Sequence, residues 1–396
     1  MEGRRMRLDN ARLADGRHVD VMVEGGRIAA IAPHAGGGGG MDLGGRLLLP
    51  ALVDGHVHLD KTLMGMPWRP NSGAATVRER IENERRYRRG LAHPVPRRAA
   101  ALLRRMIANG TTALRTHVDI DDDIGLENFH AVRAVAERFR GEVDIQIVAF
   151  PQSGILGRPG VAELLDAALA EGADLVGGLD PASYDGDAKA HLDVVFALAG
   201  RHGRGIDIHL HDRDAGGNAQ LRDIAARAGA AGMAGLVTVS HAFSLGTPDA
   251  ADFAATADAL AAAGVAILTS SPSAGPVPPV QALRARGVAI YAGSDNIRDL
   301  WSPFGNGCML ERALLISLRQ GFRADDDIAL AYGICSDAGA RMLGLPGRAV
   351  AVGAPADLLA VAAETLAEAV AERPAGRLVF RAGRLLARDG AYLGNN

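Results

Sequence analysis

The chain has 396 residues, 48% hydrophobic and 22% charged, with a formal net charge of −3. Such a composition can bury a large core, which excludes disorder, and the near-balanced charge provides no basic field for nucleic acid or an anionic membrane. Two cysteines, Cys308 and Cys335, are too few for a disulfide framework or a Cys-rich zinc site. The start, Met1-Glu2-Gly3-Arg4-Arg5, is not followed by an apolar signal core. No apolar run approaches the ~18 residues of a membrane span, so a cytoplasmic location without membrane partners is expected. Of the 43 basic residues only Lys61 and Lys189 are lysine. With 50 glycines, this reads as the codon bias of a GC-rich genome, against which each surviving lysine is worth inspecting.

Residues 1–46 read as short strands. Arg7–Leu13, Asp20–Glu24 and Ile28–Ile31 alternate or cluster apolar positions, and Glu24-Gly25-Gly26-Arg27 makes a turn between the last two. Gly36–Gly40 is a loop, since no Gly-Lys-Ser/Thr follows it to make a phosphate loop.

From residue 47 to 345 apolar runs alternate with helical stretches. The runs are Leu47–His58, Thr111–Asp119, Val143–Gln152, Asp174–Asp180, Ile206–His211, Leu236–His241, Val265–Ser270 and Val288–Asp295. The long first gap holds two helical segments. Apolar strands alternating with helices imply parallel pairing buried on both faces, and eight such units predict a closed α/β (β/α)8 TIM barrel. Helical stretches then cover Gly307–Gln320 and Asp325–Leu343. Within 346–396, Asp357–Val361, Leu378–Arg381 and Arg384–Ala387 read as strands that pair with the N-terminal ones, giving a small β-sandwich-like domain built from both termini.

Six of the twelve histidines fall at the ends of the barrel runs: His56, His58, His117, His209, His211 and His241. Strands often end on polar residues as they leave a core, but that accounts poorly for so many imidazoles at the mouth where such barrels build their sites. His56-Val57-His58 places two rings on one side of a strand, His209 adds a third nitrogen and Asp295 a carboxylate. That set suits one divalent metal, Zn2+ first and Fe2+ second, with a water activated near neutral pH and Asp295 as its general base. Neither lysine lies on a central strand to bridge a second ion. The alternative for Asp295 is an ion pair with Arg298. His117 and Asp119 are read as hydrogen-bonding groups behind the ligands. The dense run Arg78–Arg89 is read as a solvated helix with i,i+4 pairs.

Val53–Lys61, Arg115–Asp119, Val148–Gly154, Ser240-His241 and Ser294-Asp295-Asn296 together resemble the amidohydrolase superfamily, in its cytosine deaminase-like branch, over nearly the whole length. Leu175–Ala182, His209–Asp212 and Ser294–Gly307 resemble the triazine-degrading members of that branch. The resemblance implies metal ligands at His56, His58, His209 and Asp295, with His241 beside the reacting water. It implies that Gln152 holds the ring's amide face. It also implies a proton shuttle at His211 or Asp212, where the branch carries a Glu three residues after the fifth-strand His. His211, at i+2 from His209, faces the mouth and is the expected shuttle; Asp212 is the alternative. Asp180 and Asn296 are further candidates to read the ring, with Trp301 and Phe304 to cover it. Lys61 is placed to meet an exocyclic oxygen or to pair with Asp180.

The implied reaction is hydrolytic loss of ammonia or an alkylamine from an aminated pyrimidine or triazine, by a homo-oligomer (dimer or tetramer). The competing readings are cyclic-amide hydrolysis and a catalytically inactive barrel that binds a partner.

Overall fold

The computed structural model describes residues 5–71, 73–247 and 249–394. The first four residues, which carry most of the reading of the N-terminal start, lie outside them. Eight parallel strands form the predicted ring: β1 (Leu52–Val57), β2 (Thr111–Asp119), β3 (Asp144–Phe150), β4 (Leu175–Leu179), β5 (Gly205–Leu210), β6 (Val237–His241), β7 (Ala266–Thr269) and β8 (Ile290–Ala292). Each pairs with the next in sequence order. Burial on both faces explains their unbroken apolar character: every residue of β1, β2, β4, β6, β7 and β8 is buried.

The ring closes lightly. Among the described residues β1 and β8 share no ladder. They meet through one parallel bridge, Val57 with Asp295, and a 2.7 Å hydrogen bond from the Asp295 amide to the His56 carbonyl. Two glycines allow the approach. A Cβ on Gly293 would lie 2.5 Å from the His56 backbone nitrogen, and one on Gly55 2.4 Å from the Tyr291 ring. Asp54 ties the same seam, its Oδ1 accepting the backbone N–H of His56 (3.2 Å) and of Ser294 (2.8 Å).

Residues from both chain ends make a nine-stranded sheet. Its order runs from Ala391–Tyr392 through Arg384–Arg388, Leu378–Arg381, Leu358–Val361, Leu47–Pro50, Met6–Arg12 and His18–Glu24 to Arg27–Pro33, with Met41–Asp42 beside Met6–Arg12. Its own core gathers Leu8, Val21, Ile28, Leu48, Leu358 and Phe380. The run Leu47–His58, read as one barrel strand, divides at Ala51. Leu47–Pro50 pairs antiparallel with Leu358–Val361 in the terminal sheet, and only the second half enters the barrel. The stretch 325–343 likewise breaks into Asp325–Ile334 and Asp337–Met342. No helix of the described residues is long and apolar enough to cross a membrane.

Candidate active site

The carboxyl ends of the eight strands converge as predicted. His56, His58 and His209 bring one ligand atom each to within 4.8 Å of one another, as do His56, His241 and Asp295. Asp295 Oδ1 lies 3.6 Å from His56 Nε2 and 3.5 Å from His58 Nε2. Burial, with neighbouring imidazoles, holds His56 and His209 well below the usual histidine range. Burial likewise lowers His58 to about 3 and His241 to about 4. All four rings are thereby shifted toward the neutral form, the form in which an imidazole nitrogen can offer a lone pair. Burial alone would raise Asp295, but His241, His58 and His56 around it hold it well below the carboxylate range. Both ring nitrogens of His209 and of His241 are buried without a hydrogen-bond partner, as is His58 Nδ1. Buried polar atoms are normally satisfied, so this set is built to receive something. Arg298 is not the partner of Asp295; it donates to the Met66 carbonyl at 2.6 Å.

Behind these imidazoles lies a buried polar chain. The Ser240 hydroxyl donates to Asp207 Oδ1 (2.7 Å) and lies 3.0 Å from His56 Nδ1. Arg115 donates to Asp207 Oδ2 (2.9 Å) and to the Tyr291 hydroxyl (2.8 Å). His117 stacks on His56 with ring centroids 3.9 Å apart, and its Nε2 lies 3.4 Å from Asp207.

On the opposite wall, His211 Nδ1 lies 2.9 Å from Asp180 Oδ2, and its backbone N–H donates to Asp180 Oδ1 at 2.7 Å. Burial would lower His211, but Asp180 outweighs it and raises its pKa. Its ring stacks on His241, centroids 4.5 Å apart. Asp212 faces away, accepting from Gln220 at 2.7 Å. Because Asp180 is taken by His211, the Lys61–Asp180 pair envisaged from sequence is not made.

Lys61 is instead enclosed. Its ammonium donates to Gln152 Oε1 and lies 3.3 Å from Glu84 and 3.2 Å from Asp119 as ion pairs without hydrogen-bond alignment. Burial would lower it, but Asp119, Glu84, Asp60 and Asp299 keep it charged. Trp301 covers Lys61 at 4.8 Å and donates its indole N–H to Glu84 at 2.6 Å. Asn296 gives its amide to Asp299 (2.7 Å), and Phe304 is 76% exposed.

Glu84 was missed from sequence. Its helix, Val77–Tyr87, keeps Arg78, Glu79, Glu82 and Arg86 exposed, as expected of a solvated charge run, but buries Glu84. Arg85 and Arg88 pair across to Asp121, Asp122 and Asp123 on the loop after β2, which turns Glu84 inward to 4% exposure. Asp207 carried a weak signal, a carboxylate inside the apolar run of β5. Asp180, His241 and Asp295 adopt positive φ (38°, 74° and 63°), the strained backbone often found where side chains must be aimed into a site.

A family model described as the amidohydrolase family matches residues 40–387. The chain belongs to that family. It is 35% identical over 277 residues, 69% of its length, to the uncharacterized protein YahJ of Escherichia coli strain K12, and spans 60% of that relative's length. It is similar to the crystal structure of N-isopropylammelide isopropylaminohydrolase from Burkholderia multivorans, at 45% identity and a TM-score of 0.94, with 99% of this chain and 100% of that one covered. It is also similar to 5-methylcytosine deaminase from Klebsiella pneumoniae liganded with 5-fluorocytosine, at 29% identity and a TM-score of 0.85, covering 97% of each.

Proposed function

We propose that the chain is a metal-dependent aminohydrolase that removes ammonia or an alkylamine from an aminated N-heterocycle of the pyrimidine or triazine kind. The observation that carries this reading is the cluster of buried imidazoles around one carboxylate at the barrel mouth, with both nitrogens of His209 and of His241 unpartnered among the described residues. That donor set fits a single divalent ion, Zn2+ or Fe2+, held by His56, His58, His209 and Asp295. When bound, the ion supplies Lewis acidity and lowers the pKa of a water.

The chain's residues do the rest. Asp295, ionised at the mouth, accepts the water's proton and returns it to the departing nitrogen. His211, kept protonated by Asp180, delivers a proton to a ring nitrogen, so negative charge does not build up on the ring. His241, stacked on His211, lies where charge develops at the attacked carbon. The similarity to an alkylamine-releasing and an ammonia-releasing enzyme supports both leaving groups.

The deciding experiment is a panel of aminated pyrimidines, purines and triazines, read by amine or ammonia release. Release from at least one ring is expected. No release from any would favour cyclic-amide hydrolysis or a binding role instead.

A further inference from the structure

We propose that Lys61 is a positioning residue that fixes the Gln152 amide as a donor, and so selects rings with an exocyclic oxygen facing Gln152. The proposal deepens the reading above and rests on it.

Three oxygens, from Gln152, Glu84 and Asp119, surround the Lys61 ammonium, and the Trp301 ring lies over it. Its side chain is 2% exposed. An ammonium has three N–H donors and no acceptor. The one aligned hydrogen bond of Lys61 goes to Gln152 Oε1, and the carboxylates of Glu84 and Asp119 balance its charge.

What Lys61 does control is the orientation of its neighbour. A primary amide is ambiguous by shape alone, but beside a buried ammonium only its carbonyl can face inward. The flipped amide would set N–H against N–H. The Gln152 nitrogen is buried with no partner among the described residues. A buried donor without a partner is costly, so a ligand that supplies an acceptor there is favoured.

Gln152 lies two residues past the end of β3, at the mouth that β1 and β5 share with it. A ring with a carbonyl or oxyanion at that edge completes the amide. A ring with an amino group there meets donor with donor. Polar mismatches of this kind discriminate far more strongly than a missing methylene.

The test uses paired rings that keep the displaced amine and change only the other exocyclic group: cytosine against 2,4-diaminopyrimidine, and a dioxo-(alkylamino)triazine against its diamino counterpart. The wild-type chain is expected to favour the oxo member by at least about 100-fold in kcat/KM. Gln152→Glu, which offers no N–H, should cut that ratio at least tenfold, mostly through KM. Lys61→Met frees the amide to turn and should also narrow the ratio, whereas a purely structural lysine would depress both rings equally. The ratio is independent of how much protein is active, so partial misfolding of either variant does not obscure it. Equal turnover of both members by the wild type, or an unchanged ratio in Lys61→Met, overturns the proposal. Turnover of no ring overturns the underlying reading and this inference with it.

Discussion

The Ser240 hydroxyl lies 3.0 Å from Nδ1 of His56. Because that hydroxyl donates its proton to Asp207, it can only accept from His56. His56 is thereby fixed as the Nδ1–H tautomer with its Nε2 lone pair turned toward His58 and Asp295. Outer hydrogen bonds of this sort typically support metal affinity by about 10–100-fold. Ser240→Ala is therefore expected to bind Zn2+ that much more weakly in a chelator competition, with circular dichroism unchanged. Affinity equal to wild type would remove Ser240 from this role. Metal analysis of the unmodified chain should find a single ion per chain.

His211→Asn should keep its metal and its melting temperature within a few degrees, yet lose about 10²–10⁴-fold in turnover, the usual contribution of a positioned acid or base. Near-normal turnover would transfer the proton shuttle to Asp212.

Gly293→Ala places a methyl group 2.5 Å from the His56 backbone nitrogen, where the neighbours are backbone and Cβ atoms that cannot swing aside. The seam must widen. Overpacking costs about 1–3 kcal/mol, to be read by urea denaturation, and the displaced His56 should weaken metal binding in parallel. A stable variant with full metal content would contradict the close approach.

Asp299 supplies the pH dependence. Burial raises its pKa from the ordinary 3.8 to about 7. The folded chain therefore keeps a proton that the unfolded chain has lost. Its contribution is complete below about 4 and disappears as pH rises through 7, each pH unit between being worth about 1.4 kcal/mol. Asp299→Asn, which cannot ionise, should flatten the fall in stability between pH 4 and 7. An unchanged slope would assign the fall to other groups.

The barrel was legible because parallel strands buried on two faces leave apolar runs, and because six histidines mark where those runs stop. The division at Ala51 was not, since Leu47-Leu48-Leu49 and Leu52-Val53 are equally apolar on either side of it. Glu84 was hidden for a different reason. In the chain it sits among arginines one, two and four residues away, and only the packing of its helix on Asp121–Asp123 shows that Arg85 and Arg88 point elsewhere. The environment of Lys61 is likewise assembled from residues 84, 119 and 152. Position in sequence showed that this lysine was unusual, but not which groups would surround it. The left-handed backbone of Asp180, His241 and Asp295 had no signature at all, because none of the three is glycine.

The seam between the first and last strands has a practical meaning for the life of the molecule. The backbone bond that finishes the ring joins His56 to Asp295, and the same two residues belong to the proposed metal site. Breathing of the barrel and loss of the site are thus one event. If His56, His58, His209 and Asp295 hold an ion as proposed, it would rivet that junction. Without it the two edge strands are expected to part first on warming, so that heat inactivation runs ahead of any loss of helical signal, and cofactor supply in the cell becomes a determinant of how long each copy survives.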